Sequence, residues 1–294
     1  MSVDPAPTPR EQLERDGYVL LEGLFAEAEI DRLKAVVSTF FARRGVLYHL
    51  GKTQPNAAIE VPDLAFLFAD PKVVTAFQDV LGERGILFTG HCDIHQDIFS
   101  NWHKDTGGDG YFSEDCYVPD CRVYKMAVYL QDHDDGRGLT VRPGSHRGKA
   151  LGEGEGVSLK TKAGDAVIFD VRLSHRGRLP EGLDKGLHLV SQAIKRGLGP
   201  LVPALREPGD VGAVYQLKRA WEALVGRPSK MSVFFTFGAP NRFSRQFAEA
   251  NMARQLRQYA GAGASAYPPG LVERLGDLGV DVYLGEVPAP VAAA

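Results

Sequence analysis

His103 and Asp105 stand two residues apart in Trp102-His103-Lys104-Asp105, and His175 follows far downstream in Leu173-Ser174-His175. Two imidazoles and one carboxylate are the facial ligand set of non-haem Fe(II) centres. Successive side chains of a strand point to opposite faces. On an extended run His103 and Asp105 therefore share a face, while Trp102 and Lys104 turn away and Trp102 joins the core. A second strand has to bring His175. Three protein ligands leave coordination positions open for a co-substrate and dioxygen.

Each of these residues alone has an ordinary explanation. His-x-Asp occurs in surface loops, where the Asp caps a helix before Gly107-Gly108, and a single strand histidine is usually a satisfied core residue. The other polar candidates divide in the same way. His91 and His95 are four apart on a strand-like run, which is a helix spacing for two ligands, so they read as structural or pocket residues. His146, in Pro143-Gly144-Ser145-His146, is placed to hydrogen-bond its own turn. His49, His133 and His188 carry no signal. Lys125 lies inside the otherwise apolar run Arg122–Leu130. It either snorkels outward or reaches an anion from the inner wall, and its position leaves both open. Arg172, two residues from Asp170, reads as that residue's structural partner.

The elements that must hold these groups are mostly strands. Runs rich in Val, Ile, Tyr and Phe, bounded by Gly, Asp and Pro, occur at Ile86–Gly90, Cys92–Phe99, Arg122–Leu130, Leu139–Arg142, Ala166–Val171 and Met231–Phe237. Ahead of them, Gly17–Phe25 reads as a short strand and turn. Helical spacing of apolar residues marks Glu27–Arg43, and Pro71–Leu81 opens on a proline, well tolerated at a first helical position. Short strands with long connections suggest a double-sheet jelly roll, mainly β with flanking helices. The organisation expected is a single domain over 1–294: an N-terminal helical region 10–84, a core 85–240 interrupted by a lid insertion 176–229, and a C-terminal helix 244–260. The insertion contains a helix at Val214–Val225. The alanine-rich end after Val287 is expected to fray.

Composition excludes several alternatives. The 294 residues carry a net charge of −3 with no basic run, which gives no footprint for nucleic acid. No apolar stretch reaches the length of a membrane span, and the polar, proline-rich start has no secretory apolar segment. Cys92, Cys116 and Cys121 are an odd, widely spaced set that suggests reduced thiols. A cytoplasmic protein acting on a small molecule and dioxygen is the expectation.

Four motifs in order carry a resemblance. They are Leu13–Asp31, Trp102–Asp105, the turn Gly138-Leu-Thr-Val-Arg-Pro-Gly-Ser-His146, and the strand Gly164–Phe169 running on to His175. Together they resemble the phytanoyl-CoA dioxygenase family of Fe(II)/2-oxoglutarate oxygenases. The resemblance implies a double-stranded β-helix with iron on His103, Asp105 and His175. It also implies 2-oxoglutarate as co-substrate, chelating the metal and anchored at its far carboxylate by a basic residue. The family's usual arginine, about eleven residues past the distal histidine, falls here on Gly186. The residue in register before the last strand is Lys230, which shares parity with Ser232, Phe234 and Thr236. Arg227 and Arg178 are the other candidates, and Thr140 and Lys125 are further contacts implied for the co-substrate. Asp105 occupies the position that related halogenases leave for halide, which favours hydroxylation or another C–H oxidation. Two alternatives stay open: a metal-binding jelly roll without 2-oxoglutarate turnover, and a cupin-type enzyme that needs no 2-oxoglutarate.

Overall fold

Ile30, Leu33, Val37, Phe40 and Phe41 recur at helical spacing, and burying them fixes one face of a long helix, Glu27–Arg43. In the computed structural model it is the second helix of a chain described over residues 6–48, 50–108, 110–133, 138–180, 182–199, 201–202, 211–258 and 266–285. His49, residues 259–260 of the expected C-terminal helix, several residues of the insertion and the tail after Val287 lie outside the described residues.

The helices are α1 (Pro9–Asp16), α2 (Glu27–Arg43), α3 (Ala57–Glu60), α4 (Ala65–Phe68), α5 (Pro71–Leu81), α6 (Gly182–Leu198), α7 (Gly212–Leu224), α8 (Arg242–Gln258) and α9 (Leu271–Asp277). The strands are β1 (Tyr18–Leu21), β2 (Val46–Tyr48), β3 (Gly51–Gln54), β4 (Ile86–Gln96), β5 (Val123–Tyr129), β6 (Thr140–Val141), β7 (Val157–Ser158), β8 (Ala166–Asp170), β9 (His175–Arg176), β10 (Met231–Gly238) and β11 (Val280–Val282). α5 begins as its sequence dictates. Pro71 opens it, the Asp70 carboxylate accepts from the Lys72 amide at 3.0 Å, and Gly82 closes it in the left-handed region. Asp70→Ala is expected to cost about 1 kcal/mol in chemical denaturation, the usual loss for a side-chain cap.

Two sheets face each other. The larger has the order β1-β8-β5-β10-β4-β3-β2, with β11 added in parallel to β4. The smaller has the order β7-β6-β9. Ala127, Tyr129, Val167 and Phe169 from the large sheet meet Leu139, Val141, Leu159 and Leu173 from the small side. The other face of the large sheet is covered by α2, α4 and α5, where Phe68, Phe77, Phe88, Phe235 and Phe237 form an aromatic stack. This is the jelly-roll core that the strand pattern predicts. β10 is read correctly in parity: Phe235 and Phe237 join the helix-covered core, while Ser232 and Phe234 face the interior cavity.

Two expectations need correction. The runs Ile86–Gly90 and Cys92–Phe99 are one strand, β4, with a bulge: Phe235 pairs with Cys92, but Phe237 pairs with Phe88. Gly90 has φ +76° there, the left-handed conformation a bulge requires. The extra backbone turns His91 toward Thr236. The second correction concerns His103 and Asp105, which do not lie on a regular strand. His103 forms an isolated antiparallel bridge with His175, through amide–carbonyl hydrogen bonds of 2.9 Å in both directions. The Asp105 amide then reaches Val171 O at 2.7 Å. The Gly-rich turn that follows, closed by Tyr111 N to Thr106 O at 3.2 Å, leaves no room for a longer ladder.

Candidate metal centre and its cavity

The bridge between His103 and His175 brings both imidazoles to one place, with ring centroids 4.2 Å apart. Ligand atoms from His103, Asp105 and His175 all lie within 4.8 Å of one another. Each histidine has its Nδ1 committed to a backbone carbonyl: His103 to Asn101 O at 2.8 Å, His175 to Leu173 O at 2.9 Å. That leaves both Nε2 atoms aimed inward as lone-pair donors, the carbonyl-oriented arrangement usual for metal-ligating histidines. Nε2 of His175 is 3.4 Å from Asp105 Oδ2, and Nε2 of His103 is 3.9 Å from Oδ1.

The electrostatics favour the ligand forms. Burial, with His103 adding to it, pushes the His175 imidazole down to about 3, so it is neutral over the working range of most proteins. Burial acts the other way on Asp105, but Lys125, His175 and His103 outweigh it and hold the carboxyl far below its usual range. Lys125 Nζ sits 2.6 Å from Asp105 Oδ2. Of its two possible orientations Lys125 therefore takes the inward one, sharing the interior face of β5 with Ala127 and Tyr129. The two imidazoles and the ionised Asp105 carboxylate on one side of a point make a donor set that suits a divalent first-row metal with open positions.

The flanking residues hold the loop in place. Lys104 turns away from the centre and spends all three of its N–H bonds on carbonyls, those of Ser145, Gly148 and Arg172, at 2.5, 2.8 and 2.6 Å. Trp102 is not in the core. It is half-buried, with the guanidinium groups of Arg142 and Arg176 4.1 and 5.1 Å from its ring centroid. Arg172 pairs with Asp170 as expected, at 2.8 and 2.6 Å. His146 does not serve its own turn; its Nε2 lies 3.3 Å from Glu14 O at the end of α1.

The triad opens into a cavity of about 600 Å³. Its polar lining includes His91, Asp93 and His95 on alternate positions of β4, together with Lys125, Ser232, Lys230 and Arg178. His91 is buried, with Nδ1 2.8 Å from Thr236 Oγ1 and Nε2 3.2 Å from Asp93 Oδ2. Burial lowers the His95 imidazole to about 4. Lys230 lines the cavity while its amide donates to Asp97 Oδ1 at 2.7 Å. Arg178 lines it too, but its guanidinium is engaged by Asp184. Arg227 and Thr140 are not among the described residues lining the cavity. The Arg227 amide closes a turn onto Glu222 O, and Thr140 Oγ1 is 3.0 Å from Ser158 Oγ across the small sheet.

The insertion contributes less to the lining than expected: among the described residues only Gly177 and Arg178. Its helix α7 docks beside the mouth, with Arg219 3.1 Å from Asp97 Oδ2. The far wall comes instead from α8, through Phe247, Asn251 and Arg254. The sequence reading missed these. The polar alternation His91-x-Asp93-x-His95 on a buried strand was the signal that this face lines a cavity.

Fold and centre together define a jelly-roll protein with a facial two-histidine, one-carboxylate site. The chain belongs to the phytanoyl-CoA dioxygenase family, whose description, "Phytanoyl-CoA dioxygenase (PhyH)", matches residues 13–178 and so takes in all three triad residues. It is 25% identical over 215 residues to an ectoine dioxygenase of Bordetella parapertussis, an alignment covering 55% of this chain and 66% of that relative. Among solved structures it resembles the non-haem α-ketoglutarate-dependent carbocyclase SnoK from nogalamycin biosynthesis, with TM-score 0.53, 13% identity, and 80% and 85% of the two chains covered. It also resembles EctD from S. alaskensis, solved with 2-oxoglutarate and 5-hydroxyectoine, with TM-score 0.50, 15% identity, and coverage of 78% and 74%. Among the described residues no helix is long and apolar enough to cross a membrane.

Proposed function

We propose that this chain is one Fe(II)/2-oxoglutarate-dependent dioxygenase domain that hydroxylates a C–H bond of a small organic molecule. The observation carrying this reading is the convergence of two carbonyl-oriented Nε2 atoms and the Asp105 carboxylate at the wall of a cavity that a small ligand can enter. Membership of the family supports it. His103, Asp105 and His175 would hold the iron. Iron and 2-oxoglutarate, when bound, supply the oxidising power: dioxygen is reduced, 2-oxoglutarate leaves as succinate and CO2, and one oxygen atom enters the substrate.

The chain's own groups do the holding. Lys125 Nζ, 2.6 Å from Oδ2, keeps the Asp105 carboxylate in place. Lys230 offers a point charge at the start of β10 for the far carboxylate of 2-oxoglutarate, with Ser232 two residues on along the same face. Tyr129 and Phe234, which pack edge to face at 6.1 Å, give the cavity an apolar wall that limits water.

The test is anaerobic. Apo-protein loaded with Fe(II) and titrated with 2-oxoglutarate is expected to show the visible charge-transfer band of the chelate. Admitting oxygen should then release succinate. Iron bound with no band would overturn the reading. Lys230→Ala is expected to weaken 2-oxoglutarate in the same titration about 10–100-fold, the loss of one charged hydrogen bond. Arg227→Ala should leave it unchanged.

A further inference from the structure

α8 carries two polar side chains into the cavity that no step of the proposed chemistry uses. Arg254 Nη2 donates to Asn251 Oδ1 at 2.9 Å. Because a guanidinium only donates, this contact fixes the amide oxygen toward the arginine and turns the Asn251 Nδ2 hydrogens elsewhere. Asn251 is 1% exposed, and its Nδ2, like the Nε of Arg254, is buried with no hydrogen-bond partner among the described residues. Buried donors of this kind are rare in folded proteins, since leaving one unmade is costly. Two of them side by side on one cavity wall mark a place where an acceptor arrives with a ligand.

The surroundings narrow the ligand. Phe247, one turn before Asn251, packs edge-on to His91 at 5.9 Å, so this stretch of α8 lies against the β4 wall of the triad's own cavity. Asp93 lines the same cavity, near enough to Arg254 to feel its charge. Burial would neutralise it, but His91, its hydrogen bond to that ring, His95 and Arg254 keep the carboxyl well below its usual range. The Tyr111 ring lies 5.8 Å from the Arg254 guanidinium and closes the seat on one side. A carboxylate alone would meet Arg254 and Asn251 but be repelled by Asp93. A ligand carrying its own cation a few bonds away meets all three.

From this we infer that the substrate is a small zwitterion of amino-acid type, its carboxylate seated by Arg254 and Asn251 and its cationic nitrogen facing Asp93. The inference rests on the 2-oxoglutarate oxygenase reading, because it assigns the α8 end of the cavity to the substrate and the Lys230 end to the co-substrate. Arg254 and Asn251 are specificity-determining residues rather than members of the metal centre.

The test uses the Ni(II)-loaded protein saturated with 2-oxoglutarate, which binds without turning over. Calorimetry is run with the protein amino acids and cyclic imino acids, with their carboxamides, and with their N-acetyl forms. Binding is expected among the free zwitterions and to fall at least tenfold when either charge is removed. Arg254→Gln and, independently, Asn251→Asp should each lose at least tenfold in affinity for the bound zwitterion. Their affinity for 2-oxoglutarate, measured on the Ni(II) protein, should stay within twofold of wild type. Arg254→Lys should recover part of the loss. No binding by any free zwitterion, or carboxamides bound equally well, would overturn the inference. So would an Arg254→Gln protein weakened toward 2-oxoglutarate instead, which would give the seat to the co-substrate's far carboxylate. Failure of the underlying reading is separate: the wild-type Ni(II) protein would then bind no 2-oxoglutarate at all.

Discussion

His175→Ala is expected to abolish the Fe(II)·2-oxoglutarate band and reduce succinate release to the level of apo-protein. The scale follows from what the side chain does. Loss of an outer-shell partner of a metal ligand typically costs 10–100-fold in metal affinity or activity. Removing the ligand must exceed that, so a loss on the order of 100-fold or more is the expected floor. His175 is also the residue whose backbone pairs with His103 in both directions at 2.9 Å. Alanine keeps those amide and carbonyl groups, so the bridge and the position of His103 should survive while Nε2 is lost. The melting temperature should therefore change little while the band disappears. A mutant that still forms the chelate with wild-type affinity would remove His175 from the ligand set. The same titration on Asp105→Ala tests the carboxylate, with one difference. Lys125 Nζ, now 2.6 Å from Asp105 Oδ2, would be left in the cavity as an uncompensated cation. That variant is expected to repel the metal as well as fail to bind it.

What was legible in the sequence divides by the range of the forces involved. The bounds of α2 and α5 could be read directly, because apolar spacing and the Asp70–Pro71 start are local signals that packing did not override. The convergence of His103, Asp105 and His175 could be anticipated because the spacing is chemical: His-x-Asp and a distant histidine before a strand end. Its real geometry could not. The His103–His175 bridge joins residues far apart in the chain, and nothing in Trp102–Asp105 states that the ladder stops after one residue pair. The orientation of Lys125 was ambiguous because every residue of β5 is buried, so alternation gave no inside or outside. α6 went unread inside the insertion, where Gly182, Gly186 and Gly197 lower helical propensity. The far wall of the cavity was hidden for another reason. Asn251 and Arg254 stand on a helix that carries many polar residues, and only the fold tells which of them meet water and which meet the cavity.

Asp170→Ala is expected to destabilise the protein by roughly 3–5 kcal/mol, the usual cost of breaking a buried ion pair by removing one partner. Asp170 is 2% exposed and Arg172 7%. The guanidinium places Nε and Nη2 on the two carboxylate oxygens at 2.8 and 2.6 Å, and Nη1 on Cys116 O and Val118 O at 2.8 and 2.9 Å. Without Asp170 that cation stays buried with only carbonyl dipoles to face. The damage should also reach the centre, because the segment after Asp170 is its scaffold. Val171 O receives the Asp105 amide at 2.7 Å, Arg172 O receives Lys104 Nζ at 2.6 Å, and Leu173 O orients His175 through Nδ1 at 2.9 Å. Fe(II) affinity should therefore fall along with stability in Asp170→Ala. The double variant Asp170→Leu/Arg172→Met, which removes both charges at similar volume, should recover most of the stability, since a buried pair gains little over a well-packed apolar one. Urea denaturation separates these cases. An Asp170→Ala protein within 1 kcal/mol of wild type would show that Arg172 finds solvent or another partner, and that the pair does not hold the strand end on which His175 sits.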